Sequence, residues 1–530
     1  MSFQESNTGV VSNKDEADRQ KMYKNAGKHE DMRRRRTECS VEIRKQKRGE
    51  AQMKRRNLVI DDCDTGDESQ GEGNADQPKA NLSLEEVLSC LVANPDLAKL
   101  RFAFESLRRI LSKDKNPPIN EVIKMNLVEA MVQGLSVEDK KVQFECAWAL
   151  TNVVSGTTEQ TKVAIEKGCI APLLQLCLSA DLKLSEQAAW ALANVTGDNY
   201  QFRDLVLQNN CIHVIQQLTD NVSNLSLEFA RTLAWWYSNL CRHKKPRLHD
   251  DFLRKLAPGI VSLLQYNDEI VQQDSCWALS YMTDGPDASM YAANEVGAIE
   301  KVTNFLGEAI KAKRWSSIAP AVRVLGNFTS GADDLTQLIV NSGCLQKHLP
   351  TLLTTRNTSV LKESAWLVSN IFAGTSEQIQ VALEAGLLQH VLRIFATADT
   401  KSQEEAHWAI FNFSQGGTAV QVVKLLDGLN DIAEGLSHTS KADMLLNMLS
   451  ALKLLLTHVE YTFNENLDDV LEKFEASELM EFIEGCQQHE NEKIYTIAYE
   501  ICDQYFNEDN ENMFEQDKEN DNTPANGFNF

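Results

Sequence analysis

Five tryptophans in this sequence are each followed, four residues later, by an asparagine. The pairs are Trp148 and Asn152, Trp190 and Asn194, Trp235 and Asn239, Trp366 and Asn370, and Trp408 and Asn412. Residues four apart share one face of an α-helix, so each pair presents an indole beside a carboxamide. A carboxamide can donate to and accept from the main chain of a peptide, and an indole attracts a cationic side chain. The pattern predicts a surface that binds extended basic peptides.

The asparagines decide between this interpretation and a purely structural one. Any single tryptophan is more simply explained as a core residue. Asparagine, however, is a poor helix former, and its amide costs about 1–3 kcal/mol when buried without a partner. Six asparagines, the five above and Asn327, recur at one fixed offset. We therefore expect them to share a partner, the main chain of a bound peptide.

The series continues with two altered members. Trp277 is followed by Tyr281, and Arg323 replaces tryptophan before Asn327, so the second positions fall at 152, 194, 239, 281, 327, 370 and 412. A repeat of about 40–47 residues made only of helices is typical of armadillo and HEAT proteins. We predict an all-α fold over residues 82–506, a right-handed armadillo-repeat superhelical solenoid of about ten repeats that follows a basic N-terminal arm.

Charge is distributed unevenly along the chain. The net charge is −23, but residues 1–60 hold 16 Lys and Arg against 9 Asp and Glu, which gives +7 there and −30 in the remainder. We expect a disordered N-terminus (1–18), a basic arm (19–58), a flexible acidic linker (59–81) and an acidic disordered tail (507–530). An acidic body disfavours direct binding of nucleic acid, and its basic arm suggests a partner of opposite charge.

Four carboxylates lie close to the motif in sequence: Asp198, Asp274, Glu363 and Glu405. Each could bind the charged end of a ligand lysine or arginine. Asp198 is the strongest candidate, because it follows Asn194 by one helical turn. Arg323 would repel such a side chain, so we expect the series to divide into two binding sites.

Several function classes find no support in the sequence. No stretch of about 18 uncharged apolar residues suggests a membrane span, and the polar, basic beginning does not resemble a secretory signal. The twelve cysteines stand singly, as expected of core residues in a reducing compartment. There is no phosphate-binding glycine loop, metal-ligand cluster or nucleophile motif, so we expect neither an enzyme nor a cofactor.

The chain resembles the importin-α (karyopherin-α) family over almost its whole length. The resemblance rests on the W-x-x-x-N repeats and on the preceding segment RQKMYKNAGKHEDMRRRRTECSVEIRKQKRGEAQMKRRN. It implies a nuclear import adaptor that binds nuclear localisation signals with one or two basic clusters in a concave groove. The adaptor would pass the nuclear pore with importin-β and shuttle between cytoplasm and nucleus.

The resemblance also implies roles for particular residues. The implied major signal-binding site comprises Trp148, Asn152, Ser155, Gly156, Thr161, Trp190, Asn194, Asp198, Trp235, Asn239, Asp274 and Trp277. The implied minor site comprises Arg323, Asn327, Thr336, Glu363, Trp366, Asn370, Glu405, Trp408 and Asn412. Importin-β would bind the arm through Arg33, Arg34, Arg35, Arg36, Arg44, Lys45, Lys47 and Arg48. An export receptor with Ran-GTP would bind near His489, Glu490, Asn491 and Glu492, and nucleoporins are further candidate partners.

The end of the arm is the same kind of ligand that the groove should hold. Lys54, Arg55 and Arg56 form a basic cluster about 25 residues before the repeats. A flexible linker of that length spans about 25–30 Å, which gives an effective concentration in the millimolar range. We expect this cluster to inhibit cargo binding by occupying the groove, with Lys54 facing Asp198.

Two departures from the family pattern, Trp236 beside Trp235 and His407 before Trp408, could alter the shape of the groove. The main alternative is an armadillo scaffold of the adhesion or signalling type, which should lack both the Trp/Asn series and the basic arm. A nucleic-acid-binding arm is a further alternative, and an enzyme is the weakest.

Overall fold

The computed structural model describes residues 54–57, 82–113 and 116–507 of the chain. Within these ranges all regular structure is helical and no strand occurs. The described residues form two compact units, one within residues 38–305 and the other from residue 306 onwards. The predicted all-α class is confirmed.

The helices of the first unit are numbered along the chain. They are α1 (Leu84–Val92), α2 (Leu97–Leu111), α3 (Ile119–Lys124), α4 (Leu127–Gly134), α5 (Lys140–Val154), α6 (Thr158–Glu166), α7 (Ile170–Leu176), α8 (Leu182–Asp198), α9 (Tyr200–Gln208), α10 (Cys211–Asp220), α11 (Leu227–Cys241), α12 (Asp250–Leu264), α13 (Glu269–Thr283) and α14 (Asp287–Asn294). A short 3₁₀ turn covers Val222–Asn224.

The division between the units falls within α15 (Ala298–Lys311). The second unit continues with α16 (Trp315–Thr329), α17 (Asp333–Asn341), α18 (Cys344–Lys347), α19 (Leu349–Leu352), α20 (Thr358–Ile371), α21 (Ser376–Glu384), α22 (Leu387–Thr397), α23 (Thr400–Gly416), α24 (Ala419–Val422), α25 (Leu429–Ser437), α26 (Ala442–Thr462), α27 (Leu467–Glu475), α28 (Leu479–Cys486) and α29 (Glu492–Tyr505). The 3₁₀ turns are Val423–Gly428 and Asn464–Asn466.

Seven of these helices carry the Trp/Asn series, and we call them the motif helices: α5, α8, α11 and α13 in the first unit, and α16, α20 and α23 in the second. Within each unit, every motif helix packs against the next. In the first unit each one begins at a polar side chain that accepts a main-chain N–H of the first turn; these residues are Asp139, Asp181, Ser226 and Asp268. Such caps fix where each helix starts, and therefore the register of its tryptophan and asparagine.

In several repeats, a residue with a left-handed backbone conformation precedes the start of a helix. Gly168 and Gly386 have φ of 84° and 71°, a conformation that residues with a Cβ rarely adopt. Asn126 and Asn210 occupy the equivalent place in two other repeats, with φ of 56° and 65°. The regular turn lets successive repeats stack in one orientation within each unit.

The core of each unit combines aliphatic side chains with buried aromatic rings, and several cysteines belong to it. Cys146, Cys169 and Cys211 are buried, and burial raises the pKa of each thiol, to about 12 for Cys169. These thiols therefore stay protonated and act as small apolar residues. Among the described helices, α26 has the length and composition of a membrane span, but half of that stretch is buried against its neighbours, as in a long core helix.

Candidate peptide-binding site

Residues Lys54–Asn57 run across the motif helices of the first unit. The main chain of Asn57 is held by α5: its N–H donates to Asn152 Oδ1 at 2.9 Å, and its carbonyl accepts from Asn152 Nδ2 at 3.0 Å. The indole N–H of Trp148 donates to the same carbonyl at 2.9 Å. Together the two side chains of the motif satisfy both main-chain groups of one residue.

The next motif helix repeats this arrangement two residues earlier in the arm. The N–H of Arg55 donates to Asn194 Oδ1 at 2.7 Å, and its carbonyl accepts from Asn194 Nδ2 and Trp190 Nε1, each at 2.9 Å. Since residue 57 lies on α5 and residue 55 on α8, the segment runs antiparallel to the order of the helices. It advances one motif helix for every two residues.

Lys54 enters a socket at the C-terminal ends of α5 and α8. Its ammonium donates to the carbonyl of Gly156 at 2.7 Å and to Thr161 Oγ1 at 2.9 Å, and it pairs with the carboxylate of Asp198. The side chains of Lys54 and Asp198 are 15% and 1% exposed. Burial lowers the pKa of the Lys54 ammonium, and its hydrogen bond and attraction to Asp198 oppose that shift. The socket therefore selects a long cationic side chain.

The other side chains of the segment are bound in different ways. The Arg55 guanidinium lies 4.4 Å from the Trp235 ring centre and 3.3 Å from Asp274 Oδ2. Arg56 donates to the carbonyls of Leu111 and Lys113 at 3.1 and 2.5 Å. Arg55 is thus bound by an indole and a carboxylate, whereas Arg56 is bound by carbonyls at the end of α2 and just beyond it.

Two more residues of the site support its walls. Asn57 Nδ2 donates to Gln187 Oε1 at 2.7 Å, and Gln187 in turn donates to Thr151 Oγ1. Arg108 covers the Trp148 ring at 4.4 Å and pairs with Glu145 at 2.8 Å. Gln187, Arg108 and Glu145 were not predicted from the sequence, although Gln187 and Glu145 lie three residues before a motif tryptophan, as the predicted Asp274, Glu363 and Glu405 do.

The asparagines also have a structural role that their spacing did not predict. In four of them, the Nδ2 group donates to a main-chain carbonyl of the preceding motif helix. That carbonyl belongs to the residue just before the asparagine of the preceding helix. The bonds are Asn194 to Thr151 at 3.3 Å, Asn239 to Ala193 at 2.9 Å, Asn370 to Gly326 at 3.4 Å and Asn412 to Ser369 at 2.6 Å. At the first motif, Asn152 donates to Ser112 Oγ at 3.0 Å. Each of these asparagines therefore joins two neighbouring elements of its own unit.

The remaining predicted residues of the first unit make contacts within the repeats. Ser155 donates to the carbonyl of Asn152 at 2.8 Å and so shapes the end of α5. The rings of Trp277 and Tyr281 lie beside each other on α13, with centres 5.7 Å apart and planes inclined by 30°. Trp236 is buried and donates its indole N–H to Thr196 Oγ1 at 3.1 Å, so it belongs to the core.

The second unit carries the other predicted residues. Arg323 Nη2 lies 2.7 Å from Glu363 Oε2, and its guanidinium lies 4.3 Å from the Trp366 ring centre. Trp366 Nε1 and Asn370 Oδ1 are buried and have no hydrogen-bond partner in the described chain. These two atoms correspond to Trp190 Nε1 and Asn194 Oδ1, which hold the main chain of Arg55.

The other second-unit positions show the same local design. Thr336 donates to the carbonyl of Thr329 at 3.4 Å, as Thr161 does to Val154 at 3.1 Å. His407 lies against Trp408, with ring centres 4.9 Å apart. The further residues Asn327, Glu405 and Asn412 are buried on α16 and α23.

Two predicted binding regions lie elsewhere. Arg33, Arg34, Arg35, Arg36, Arg44, Lys45, Lys47 and Arg48 lie outside the described residues. His489 to Asn491 precede α29 and Glu492 is its first residue; Asn491 caps the helix by accepting from the N–H of Lys493 at 3.0 Å. No group of three metal-binding side chains is placed to hold an ion in the described parts of the chain.

Comparisons with known proteins agree with these features. Residues 19–148 match the importin beta binding domain, residues 157–197 and 332–373 match the armadillo/beta-catenin-like repeat, and residues 468–523 match the atypical Arm repeat. These matches confirm the predicted armadillo fold.

Two curated relatives cover almost the whole chain. Importin subunit alpha-2 of Caenorhabditis elegans is 43% identical over 94% of this chain and 93% of its own length. Importin subunit alpha-4 of Arabidopsis thaliana is 34% identical over 97% and 95%. The crystal structure of an engineered protein superimposes with a TM-score of 0.66 at 22% identity, covering 78% of this chain and 96% of that protein, and shows the fold alone.

Proposed function

Because this chain belongs to the importin-α family of non-enzymatic nuclear import adaptors, we propose that its first unit binds the nuclear localisation signals of cargo proteins where Lys54–Asn57 lie. The importin beta binding domain in residues 19–148 supports importin-β as the transport partner. We further propose that the arm inhibits cargo binding until importin-β removes it.

The observation that carries this proposal is that different side chains of the site bind the main chain of the segment and its charged groups. Asn152, Asn194 and the two neighbouring indoles hydrogen-bond to the main chain of the arm, which any peptide possesses. Charge is recognised separately, by Asp198 for a lysine and by Asp274 with Trp235 for an arginine. These contacts support recognition of short lysine- and arginine-rich segments whose other side chains vary.

Inhibition follows from competition for the same groups. A cargo segment in the same place would need the hydrogen-bonding groups of Asn152 and Asn194 that the arm occupies. A tethered segment competes at an effective concentration in the millimolar range, so even a weak contact keeps the site filled. Importin-β and cargo binding would then be positively coupled, because importin-β binds the competing arm.

The test compares full-length proteins by fluorescence anisotropy with a labelled peptide that has one basic cluster. Lys54→Ala with Arg55→Ala should tighten peptide binding about tenfold in the absence of importin-β, since it weakens the internal competitor. Adding importin-β should tighten binding to the unaltered protein and change the variant little. Lys47→Ala with Arg48→Ala removes the same charge outside Lys54–Asn57 and is the control for the measurements without importin-β only, because these two residues are expected to bind importin-β. If all three proteins bind the peptide equally, the arm does not inhibit.

The second unit supports binding of a second basic cluster. Trp366 Nε1 and Asn370 Oδ1 are the donor and the acceptor that a peptide main chain would satisfy. A buried polar atom without a partner costs about 1–3 kcal/mol, so a ligand that supplies the partners is favoured. We therefore assign this unit the second cluster of two-cluster signals.

Return to the cytoplasm completes the proposed cycle. The turn at His489 to Glu492 and the acidic residues after it are the proposed contact for an export receptor with Ran-GTP, and nucleoporins are further proposed partners. Replacing Glu490 and Glu492 with lysine should prevent assembly with the export receptor and Ran-GTP in a pull-down while leaving peptide binding intact. Unchanged assembly would exclude this turn.

A further inference from the structure

A second lysine–aspartate pair in the first unit resembles the pair of Lys54 with Asp198. Asp284 directly follows α13, and its carboxylate pairs with the ammonium of Lys244 in the loop between α11 and α12. The side chain of Asp284 is only 6% exposed, and that of Lys244 is 29% exposed. In both pairs an almost buried carboxylate stands at the C-terminal end of a motif helix. The helix dipole disfavours an anion there, so each carboxylate depends on its lysine.

The loop that carries Lys244 is fixed on both sides of it. The buried Arg203 donates to the carbonyls of His243 and Pro246 at 3.3 and 3.1 Å. His243 Nε2 donates to the carbonyl of Thr196 at 3.1 Å, which ties the loop to α8. Lys244 is therefore held at Asp284 by the surrounding backbone rather than reaching it as a mobile surface side chain.

The register of the bound segment indicates which residue of a longer peptide would reach Asp284. Alternate side chains point to the C-terminal ends of successive helices: Arg56 to the end of α2, and Lys54 to the ends of α5 and α8. Each step of two residues towards the N-terminus moves this contact by one motif helix. A side chain four residues before the socket lysine would thus reach the ends of α11 and α13, where Asp284 lies. The arm has Glu50, not a basic residue, at that position.

We propose that Asp284 forms a second lysine socket, which Lys244 of the protein itself keeps closed. The inference rests on the proposed binding of basic peptides at the first unit. It accounts for the arm having a lysine for Asp198 but Glu50, not a basic residue, at the position that would reach Asp284. Lys244 is then a specificity-determining residue, because it prevents a peptide from gaining affinity through a lysine four residues before the socket lysine.

The experiment uses the full-length protein with Lys54→Ala and Arg55→Ala, so that the arm does not compete. Two peptides share one basic cluster and differ only four residues before its socket lysine, where one has alanine and the other lysine. With Lys244 present, both peptides should bind within about twofold of each other. With Lys244→Ala, the lysine peptide should bind about tenfold more tightly than the alanine peptide, as expected for one partly buried charge pair.

Matched variants distinguish a specific effect of the Asp284 carboxylate from the effect of removing any positive charge in this loop. Lys245→Ala removes the same charge from the exposed neighbour in this loop and should produce no preference for the lysine peptide. Asp284→Asn added to Lys244→Ala should abolish the preference. A tenfold preference in the protein that retains Lys244, or an equal preference in Lys245→Ala, would overturn the inference. So would equal binding of both peptides to Lys244→Ala.

Binding of the alanine peptide is the internal reference. If it binds none of these proteins, the proposed function of the first unit fails; if it binds all of them and the lysine peptide gains nothing, only the closed socket fails. If Lys244→Ala does not fold, Lys244→Gln replaces it, because glutamine keeps a polar side chain in the loop without the charge. Lys244→Gln should show the same preference for the lysine peptide. Equal binding of both peptides to Lys244→Gln would overturn the inference.

Discussion

Lys54 shows how much recognition depends on one side chain. Its ammonium meets a main-chain carbonyl, a hydroxyl and a carboxylate, all presented by helix ends. The carbonyl and hydroxyl can accept from any donor, whereas the buried carboxylate of Asp198 requires a positive charge. Asp198 therefore accounts for the selectivity of the socket, and Gly156 and Thr161 for its geometry.

Asp198→Lys tests this division directly. In the full-length Lys54→Ala, Arg55→Ala background, it should weaken binding of a one-cluster peptide by at least a hundredfold, because breaking a buried charge pair costs about 3–5 kcal/mol. Glu166→Lys makes the same charge change at an exposed position of α6 and should have little effect. Anisotropy measures both. An unchanged dissociation constant for Asp198→Lys would remove this carboxylate from the site.

At the level of the elements, one asparagine of a motif helix both bonds to the neighbouring helix and binds the arm. One N–H of Asn194 bonds to α5 while the rest of the amide holds the arm. Our prediction that a bound peptide alone satisfies these amides was therefore incomplete. An asparagine at this position joins the helices even where no peptide is bound, which is a second reason for its regular spacing.

The contribution of this bond to stability can be measured at Asn412. Asn412→Ala removes the donor of a 2.6 Å bond to the buried carbonyl of Ser369, so the urea midpoint should fall, by about 1–3 kcal/mol in free energy of unfolding. The control is Asn209→Ala, which removes a 2.8 Å bond to the carbonyl of Leu205 at an exposed site. Water replaces that bond, so a smaller shift is expected. Equal midpoints for the two variants would refute the structural role.

A second prediction for the motif helices concerns α20. Trp366→Ala with Asn370→Ala removes both groups that a peptide main chain would use in the second unit. Peptides with two basic clusters should lose about tenfold or more in affinity, as expected for two or three hydrogen bonds. One-cluster peptides are the control and should bind as before. A similar loss for both kinds of peptide would mean that the two units do not bind separate clusters.

Sequence periodicity predicted the motif helices, the paired indole and amide, and the carboxylate at position 198. It could not predict Arg108 over Trp148 or Lys244 beside Asp284. Both contacts join residues about 40 apart through packing and loop conformation. Arg323 lies over Trp366 as Arg108 lies over Trp148, but nothing in the sequence pattern alone shows that an arginine covers the next indole. The importin-α family was predicted correctly because its two signals, the repeat and the basic arm, are both local patterns.

At the scale of the whole molecule, a basic arm is joined to an acidic body, so the strength of the arm's competition with a peptide should depend on ionic strength. Between about 0.1 and 1 M salt the screening length falls from about 10 to 3 Å. The ratio of peptide affinities between the Lys54→Ala, Arg55→Ala variant and the unaltered protein should therefore shrink towards one. Anisotropy titrations across this range measure it. A constant ratio would show that the arm is retained chiefly by its main-chain hydrogen bonds.

The double hydrogen bonds of Asn152 and Asn194 to the arm have a thermodynamic consequence. Cargo that enters this site does not add bonds to an empty surface; it replaces one set of amide contacts with an equal set. Calorimetric titration of the unaltered protein with a basic peptide should therefore release little heat, and far more once Lys54 and Arg55 are alanine. Under the proposed inhibition, weak basic segments would fail to displace the arm, and the site would fill with cargo only above a threshold concentration set by the tether.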